Sequence, residues 1–226
     1  MKKKIEILGL PIDNYSVREA ILLAEGYLNS NSMSIIETVS MRALNEAETS
    51  EAVAKTIEEA DLTVIGEKEI LTVAGIMTPQ REKEITEHAF FHEFMKRVVR
   101  NHKRIYLIAQ QRDVLEHFEQ YMEEGYPKRI QVGSTVLDEC SGGLENVINE
   151  VNGESVDVLI SLIPSPAQEE FICECKDKLS TQIWYGLGAY KGEWEGFWKR
   201  TFRKLFHKRV LLKKIDDYQN ENEEKQ

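Results

Sequence analysis

The sequence predicts a Rossmann-like α/β domain, a mostly parallel sheet with helices on both faces, followed by a C-terminal basic amphipathic helical extension. Three observations carry that expectation. Short apolar runs alternate with helical stretches through residues 4–187, the order of a parallel sheet built from crossover units. One run, VDVLISLI at 156–163, is apolar at almost every position, as a strand covered on both faces must be. Residues 199–214, KRTFRKLFHKRVLLKK, hold eight Lys or Arg and no Asp or Glu, in a chain of formal net charge −10.

The elements follow in order. Residues 4–8 read as a strand. Ser16 caps the next helix, and Glu19 three residues on completes a capping box. Ile21, Ala24 and Leu28 fall on its inner face. Residues 34–39 form a second strand. A helical stretch with Leu44 and Val53 comes next, broken at Thr49 and Ser50. The strand 62–65 stops at Gly66. Residues 70–76 read as a helix, 77–87 (MTPQREKEITE) as a polar loop and 90–100 as a helix. RIYLIA at 104–109 is a strand, 113–124 a helix ended by Gly125, 130–132 a strand and 144–151 a helix. After the apolar strand, Pro166 opens a helix reaching 179, and 182–187 close the series as a strand. The expected boundaries are an α/β domain at 1–193, a basic extension at 194–215 with Phe197, Trp198, Phe202, Leu205 and Phe206 among its bases, and a solvated polar tail at 216–226.

With 226 residues the chain can bury one sizeable core. At 42% hydrophobic and 30% charged it has the composition of a soluble globular protein. Its acidity argues against nucleic acid as a partner. Cys140, Cys173 and Cys175 include no CxxC pair, so reduced thiols in a cytoplasmic protein are expected. The basic opening has too short an apolar stretch for a secretory signal, and no run approaches the roughly 18 apolar residues of a spanning helix.

Several chemistries lack their motifs. There is no GxGxxG after the first strand, no GxxxxGK[ST] and no GxSxG, which disfavours dinucleotide binding, P-loop phosphate transfer and acyl transfer. His88 and His92 stand at i, i+4 in HAFFH without a further ligand, so surface or packing roles are expected and no metal. In a parallel sheet, ligands bind beyond the carboxyl ends of the strands. Those ends carry Thr38 and Ser40, Gly66 and Glu67, Gln110 and Gln111, Ser134 and Thr135, and the stretches 165–168 and 186–190. They are polar and rich in small residues, as a sugar or nucleotide cleft requires. PSPAQEEF at 164–171 adds the open amides of a helix start and Gln168, which suit a sugar hydroxyl or a phosphate. An ordinary helix start with a solvated Gln168 fits the same letters.

The order of LGLPIDNYS, TVSMRALNEA, EEADLTVIGE, RIYLIAQQRDVLEHF, VDVLISLIPSPAQEEFI and WYGLGAYKGEWEG resembles the WecG/TagA/CpsF glycosyltransferases (glycosyltransferase family 26) over about residues 5–210. The resemblance implies transfer of a sugar from a UDP-sugar donor to an isoprenoid-linked, undecaprenyl-diphosphate type glycan acceptor in cell-surface polysaccharide synthesis. It implies a basic appendage that meets an anionic membrane surface at its inner face, and no metal or other cofactor.

Carried across, Thr38, Val39, Ser40 and Met41 stand in the family's Thr-x-Asn-Pro stretch. Its general-base Asp falls on Gly66, with Glu67 one position later, and a family Arg falls near Glu84. The family's Pro-Lys-Gln-Glu is Pro166, Ala167, Gln168 and Glu169, and its late Gly-Gly-Ala-Phe-Asp stretch covers 186–191 without the Asp. On that footing Glu67 is the candidate base, since a one-residue shift turns a strand side chain over but Gly66 frees the turn to re-aim it. Thr38, Ser40, Ser165, Gln168, Glu169 and Gly188 are candidate substrate contacts. Trp198, Lys199, Arg200, Arg203, Lys204, Lys208 and Arg209 are candidates for membrane or diphosphate contact. A competing reading makes the chain a catalytically degenerate member, a binding or scaffold subunit for another glycosyltransferase, because Asp, Asn and Arg are altered together. A homo-oligomer or a partner glycosyltransferase fits that reading.

Overall fold

A computed structural model describes residues 3–188. The basic extension at 194–215, the tail at 216–226, and with them Trp198, Lys199, Arg200, Arg203, Lys204, Lys208 and Arg209, lie outside the described residues.

The described chain begins with an antiparallel hairpin, β1 (Lys4–Ile7) and β2 (Leu10–Asp13), joined by Leu8 and Gly9. Both turn residues have positive φ, 52° and 78°, which matches the twist of a two-residue hairpin turn. The hairpin is a sheet of its own, so the strand expected at 4–8 does not belong to the main sheet. Leu-Gly lacks the Asn or Asp that marks such turns, and Pro11 obscures the second strand.

The helix α1 (Val17–Tyr27) starts with the expected capping box: Ser16 Oγ accepts from the Glu19 N–H, and Glu19 accepts from the Ser16 N–H. Next come β3 (Ser34–Val39), α2 (Met41–Glu46), α3 (Glu51–Glu59), β4 (Leu62–Ile65) and α4 (Lys68–Val73). Residues 77–87, expected as a loop, instead contain the helix α5 (Pro79–Thr86). Thr78 caps it by accepting from the Arg81 N–H, and Pro79 begins it, a favoured pairing of cap and first residue. Only Ile85 of this helix is buried, so no apolar periodicity announces it. The chain continues through α6 (Ala89–Arg100), β5 (Arg104–Ala109), α7 (Arg112–Gly125), β6 (Ile130–Val136), α8 (Gly143–Gly153), β7 (Val158–Leu162), α9 (Ala167–Cys175) and β8 (Ile183–Gly186).

The main sheet has the order β4-β3-β8-β7-β5-β6, and every pairing in it is parallel. The apolar strand is where its composition places it: β7 is buried throughout and lies between β8 and β5. Strand alternation divides the core. Ile105, Leu107 and Ala109 face the layer of α1, α6 and α7, while Tyr106 and Ile108 face α8 and α9. A third cluster seats the hairpin and helices α2 to α5 around Val39 and Ile65, at the carboxyl ends of β3 and β4.

The hairpin also covers the outer edge of β4. Asp13 Oδ2 accepts from the Thr63 N–H at 3.0 Å, and the Asp13 N–H donates to Thr63 Oγ1 at 2.6 Å. An edge amide is thereby paired inside the chain. Among the described residues no helix is long and apolar enough to cross a membrane.

Phe94 is fully buried, stacked on Phe90 and edge-on to Tyr185 at 5.4 Å. Phe94→Ala is expected to cost about 3–5 kcal/mol of stability in urea denaturation, the range for emptying an aromatic site in a core. A loss under about 1 kcal/mol would mean that α6 does not seal the sheet as described.

Candidate active site

A cleft of about 640 Å³ opens beyond the carboxyl ends of β3, β4, β7 and β8. It collects the candidate base and substrate contacts expected among the described residues: Thr38 near the end of β3 and Ser40 just past it, Glu67 after β4, Ser165, Gln168 and Glu169 after β7, and Gly188 after β8. The other strand ends go elsewhere. Gln110 bonds Asp138, Thr135 bonds Tyr106, and neither lines the cleft.

Local structure assigns these side chains different work. Ser40 caps α2, its Oγ accepting from the Ala43 N–H at 3.0 Å. Glu67 stands at the N-cap position of α4 without capping it and lines the cleft. The turn before it is crowded. The Gly66 N–H donates to the Val39 carbonyl at 2.9 Å, and a Cβ at Gly66 would come within 2.7 Å of Thr38 Cγ2. An Asp at that position therefore requires Thr38 to move.

Gln168 is 1% exposed, not solvated. Its Nε2 donates to Glu37 Oε1 at 2.5 Å, and its Oε1 accepts from the Gly188 N–H at 2.9 Å. Gly186 makes room for this arrangement: a Cβ there would lie 2.1 Å from Glu37 Oε2 and 2.7 Å from Gln168 Nε2. Burial, then the charge of nearby Glu169, push the Glu37 carboxyl well above its usual range, against the pull of the Gln168 hydrogen bond. Burial also raises Glu169, with its own backbone amide and Ser165 opposing. Glu37 was not a sequence candidate. Its only signal is a charged residue inside the apolar run SIIETV.

Cations were missed as well. Arg42 on α2, Lys68 on α4 and Arg81 on α5 line the cleft. Arg81 donates to Glu84 at 2.8 Å, and both side chains are mostly buried. The acidic residue that stands near the family's Arg is thus neutralised from one helical turn away. Lys68 pairs with Glu82, and the positive charge of Arg42 acts on Glu169.

His92 Nδ1 lies 2.6 Å from the Tyr126 hydroxyl and Nε2 3.5 Å from that of Tyr121, a packing role, while His88 lines the cleft in a left-handed conformation. Among the described residues no group of three or more His, Cys, Asp or Glu is placed to hold a metal ion.

Fold and cleft define a Rossmann-like α/β domain with a cleft of mixed charge past the strand ends. The chain belongs to the glycosyl transferase WecG/TagA/CpsF family, whose pattern it matches over residues 5–201. It is similar to the N-acetylglucosaminyldiphosphoundecaprenol N-acetyl-beta-D-mannosaminyltransferases of Staphylococcus aureus strains NCTC 8325 / PS 47 and COL. Identity to each is 21% over 210 residues, covering 89% of this chain and 81% of the relative.

The Glu37 carboxyl gives a pH signature. Its folded-state pKa lies above the unfolded value, so the fold holds an extra proton between the two. The associated stability is complete below the ordinary carboxylate value of 4.5 and is lost as pH rises through the folded-state value. Glu37→Gln keeps an amide against Gln168 and has no proton to lose. Its stability relative to wild type is expected to grow as pH rises above that ordinary value, read by urea denaturation across a pH series. Parallel pH curves for the two proteins would contradict the assignment.

Proposed function

We propose that the protein is an active glycosyltransferase, moving a sugar from a UDP-sugar to an undecaprenyl-diphosphate-linked glycan in cell-surface polysaccharide synthesis. The observation that carries this reading is one cleft lined by the carboxylate Glu67, by Thr38 and by the cations Arg42, Lys68 and Arg81. Family membership and the names of the staphylococcal relatives supply the acceptor class.

The acceptor hydroxyl oxygen bonds to the anomeric carbon as the carbon–oxygen bond to UDP breaks. The hydroxyl proton goes to Glu67, and the electron pair stays on the departing diphosphate, whose charge Arg42 offsets. Thr38 and Ser40, with Ser165 and the first turn of α9 around Glu169, contact the sugar nucleotide. Gln168 holds the Gly188 backbone in the cleft wall. The basic extension brings the protein to an anionic inner membrane face, where each Lys or Arg contributes about 1 kcal/mol. The site is then peripheral and cytoplasmic.

Gly66 favours a second reading, that of a binding or scaffold subunit for another glycosyltransferase. The family's general-base position has no side chain here, and Thr38 occupies the space one would take.

Glu67→Gln separates the two. In an active enzyme it is expected to lower turnover by about 10²-fold to 10⁴-fold, the range for loss of a general base, with UDP-sugar affinity nearly unchanged. Wild-type protein that binds UDP yet transfers nothing from a panel of UDP-sugars to a short lipid-diphosphate acceptor would establish the scaffold reading. Transfer that survives Glu67→Gln would remove Glu67 as the base.

A further inference from the structure

Asp13 is a further carboxylate in the cleft, contributed by the hairpin rather than by the main sheet. It is 3% exposed. Its binding to the β4 edge uses one of its two oxygens: Oδ2 accepts from the Thr63 N–H at 3.0 Å and from the Thr63 hydroxyl at 3.3 Å. The other oxygen, Oδ1, is buried and has no hydrogen-bond partner among the described residues. Edge capping does not account for it. An asparagine would cap Thr63 equally well with its single oxygen, and a buried acceptor left without a donor costs about 1–3 kcal/mol.

We propose that Asp13 is a sugar-contact residue, whose Oδ1 accepts a hydrogen bond from a hydroxyl of the sugar held in the cleft. This rests on the glycosyl-transfer reading given above. The chemistry of the position selects the ligand group. Oδ1 belongs to a carboxylate fixed at its other oxygen, in a residue that lines the cleft, so it requires a donor. Phosphate oxygens are acceptors and carry like charge, and the carboxylate repels them. Sugar hydroxyls are donors, and a fixed acceptor discriminates between a hydroxyl that reaches it and one of the opposite configuration. The hairpin thereby favours the hydroxyl-bearing end of a sugar diphosphate at Asp13.

The test is Asp13→Asn in the full chain. The variant oxygen continues to accept from the Thr63 N–H, while the amide nitrogen presents a donor where the cleft had an acceptor. Calorimetry with UDP, and with UDP-N-acetylhexosamines, measures the donor arm. The KM for a short lipid-diphosphate acceptor measures the other arm. Expected are an unfolding midpoint close to wild type, UDP affinity within about twofold, and a loss of about 10-fold to 100-fold in one of the two sugar arms, as for a lost hydrogen bond to a charged group. The arm that weakens names the sugar.

A parallel fall in UDP and UDP-sugar affinity, a loss confined to kcat, or no change in either arm would overturn the assignment. Should the variant fail to fold, wild-type crystals with the UDP-sugar and with the acceptor decide. A sugar hydroxyl within about 3.0 Å of Oδ1 supports the contact, and none in either complex overturns it. Wild-type protein that neither binds UDP-sugars nor transfers from them would remove the proposed function and this contact together. Wild-type transfer left unaltered by Asp13→Asn removes the contact alone.

Discussion

The side-chain amide of Gln168 ties together three places that the chain lays down far apart. It stands in the first turn of α9, just after β7; it donates to Glu37 in β3 and accepts from the Gly188 N–H just after β8. Those three strands are neighbours in the order β3-β8-β7, and their carboxyl ends form the cleft floor. Two conditions allow the link. Position 186 must lack a side chain, because a Cβ would overlap both partners. Glu37 must be accommodated in burial and beside Glu169, which together push its carboxyl well above its usual range. With both met, the amide's polarity is spent inside the protein, and what reaches the cleft is a positioned backbone at Gly188.

The cleft carries charges of both signs although the charged positions of the family pattern are altered. Glu84 reverses the sign near a family Arg, yet Arg81 on the same helix lies against it and lines the cleft. Gly66 removes the family's Asp, yet Glu67 follows it and Asp13 stands in the same cleft from the hairpin. Position-by-position comparison registers three losses. The folded chain contains carboxylates and guanidinium groups in the same cleft, from neighbouring positions and from the hairpin. The mixed sign suits a substrate that is anionic at a diphosphate and rich in hydroxyls at its sugar.

What was legible in the sequence was local or followed from one general rule. The apolar β7, the Ser16 capping box and the break between α2 and α3 need only neighbouring residues. The strand-end rule for parallel sheets gathered Thr38, Ser40, Glu67, Ser165, Gln168, Glu169 and Gly188, all of which line one cleft. The same rule gave Gln110, Gln111, Ser134 and Thr135, which lie away from it, because the pattern does not state the order of the strands. The hairpin escaped because its turn is Leu-Gly, and α5 escaped because it buries one apolar residue and begins with a Thr-Pro that also suits a loop. Glu37 and Asp13 carry their meaning in partners at sequence separations of 131 and 50, which no local pattern contains.

On the proposed function, a sugar nucleotide occupies the cleft bounded by the ends of β3, β4, β7 and β8. Hydrogen exchange of the full-length protein, with and without a UDP-sugar, tests it most directly. Slowed exchange is expected at amides within 38–43, 66–69 and 165–170 and at Gly188, together and saturably. Slowing confined to residues 110–139, at the far end of the sheet, or no slowing at saturating UDP-sugar, would contradict it.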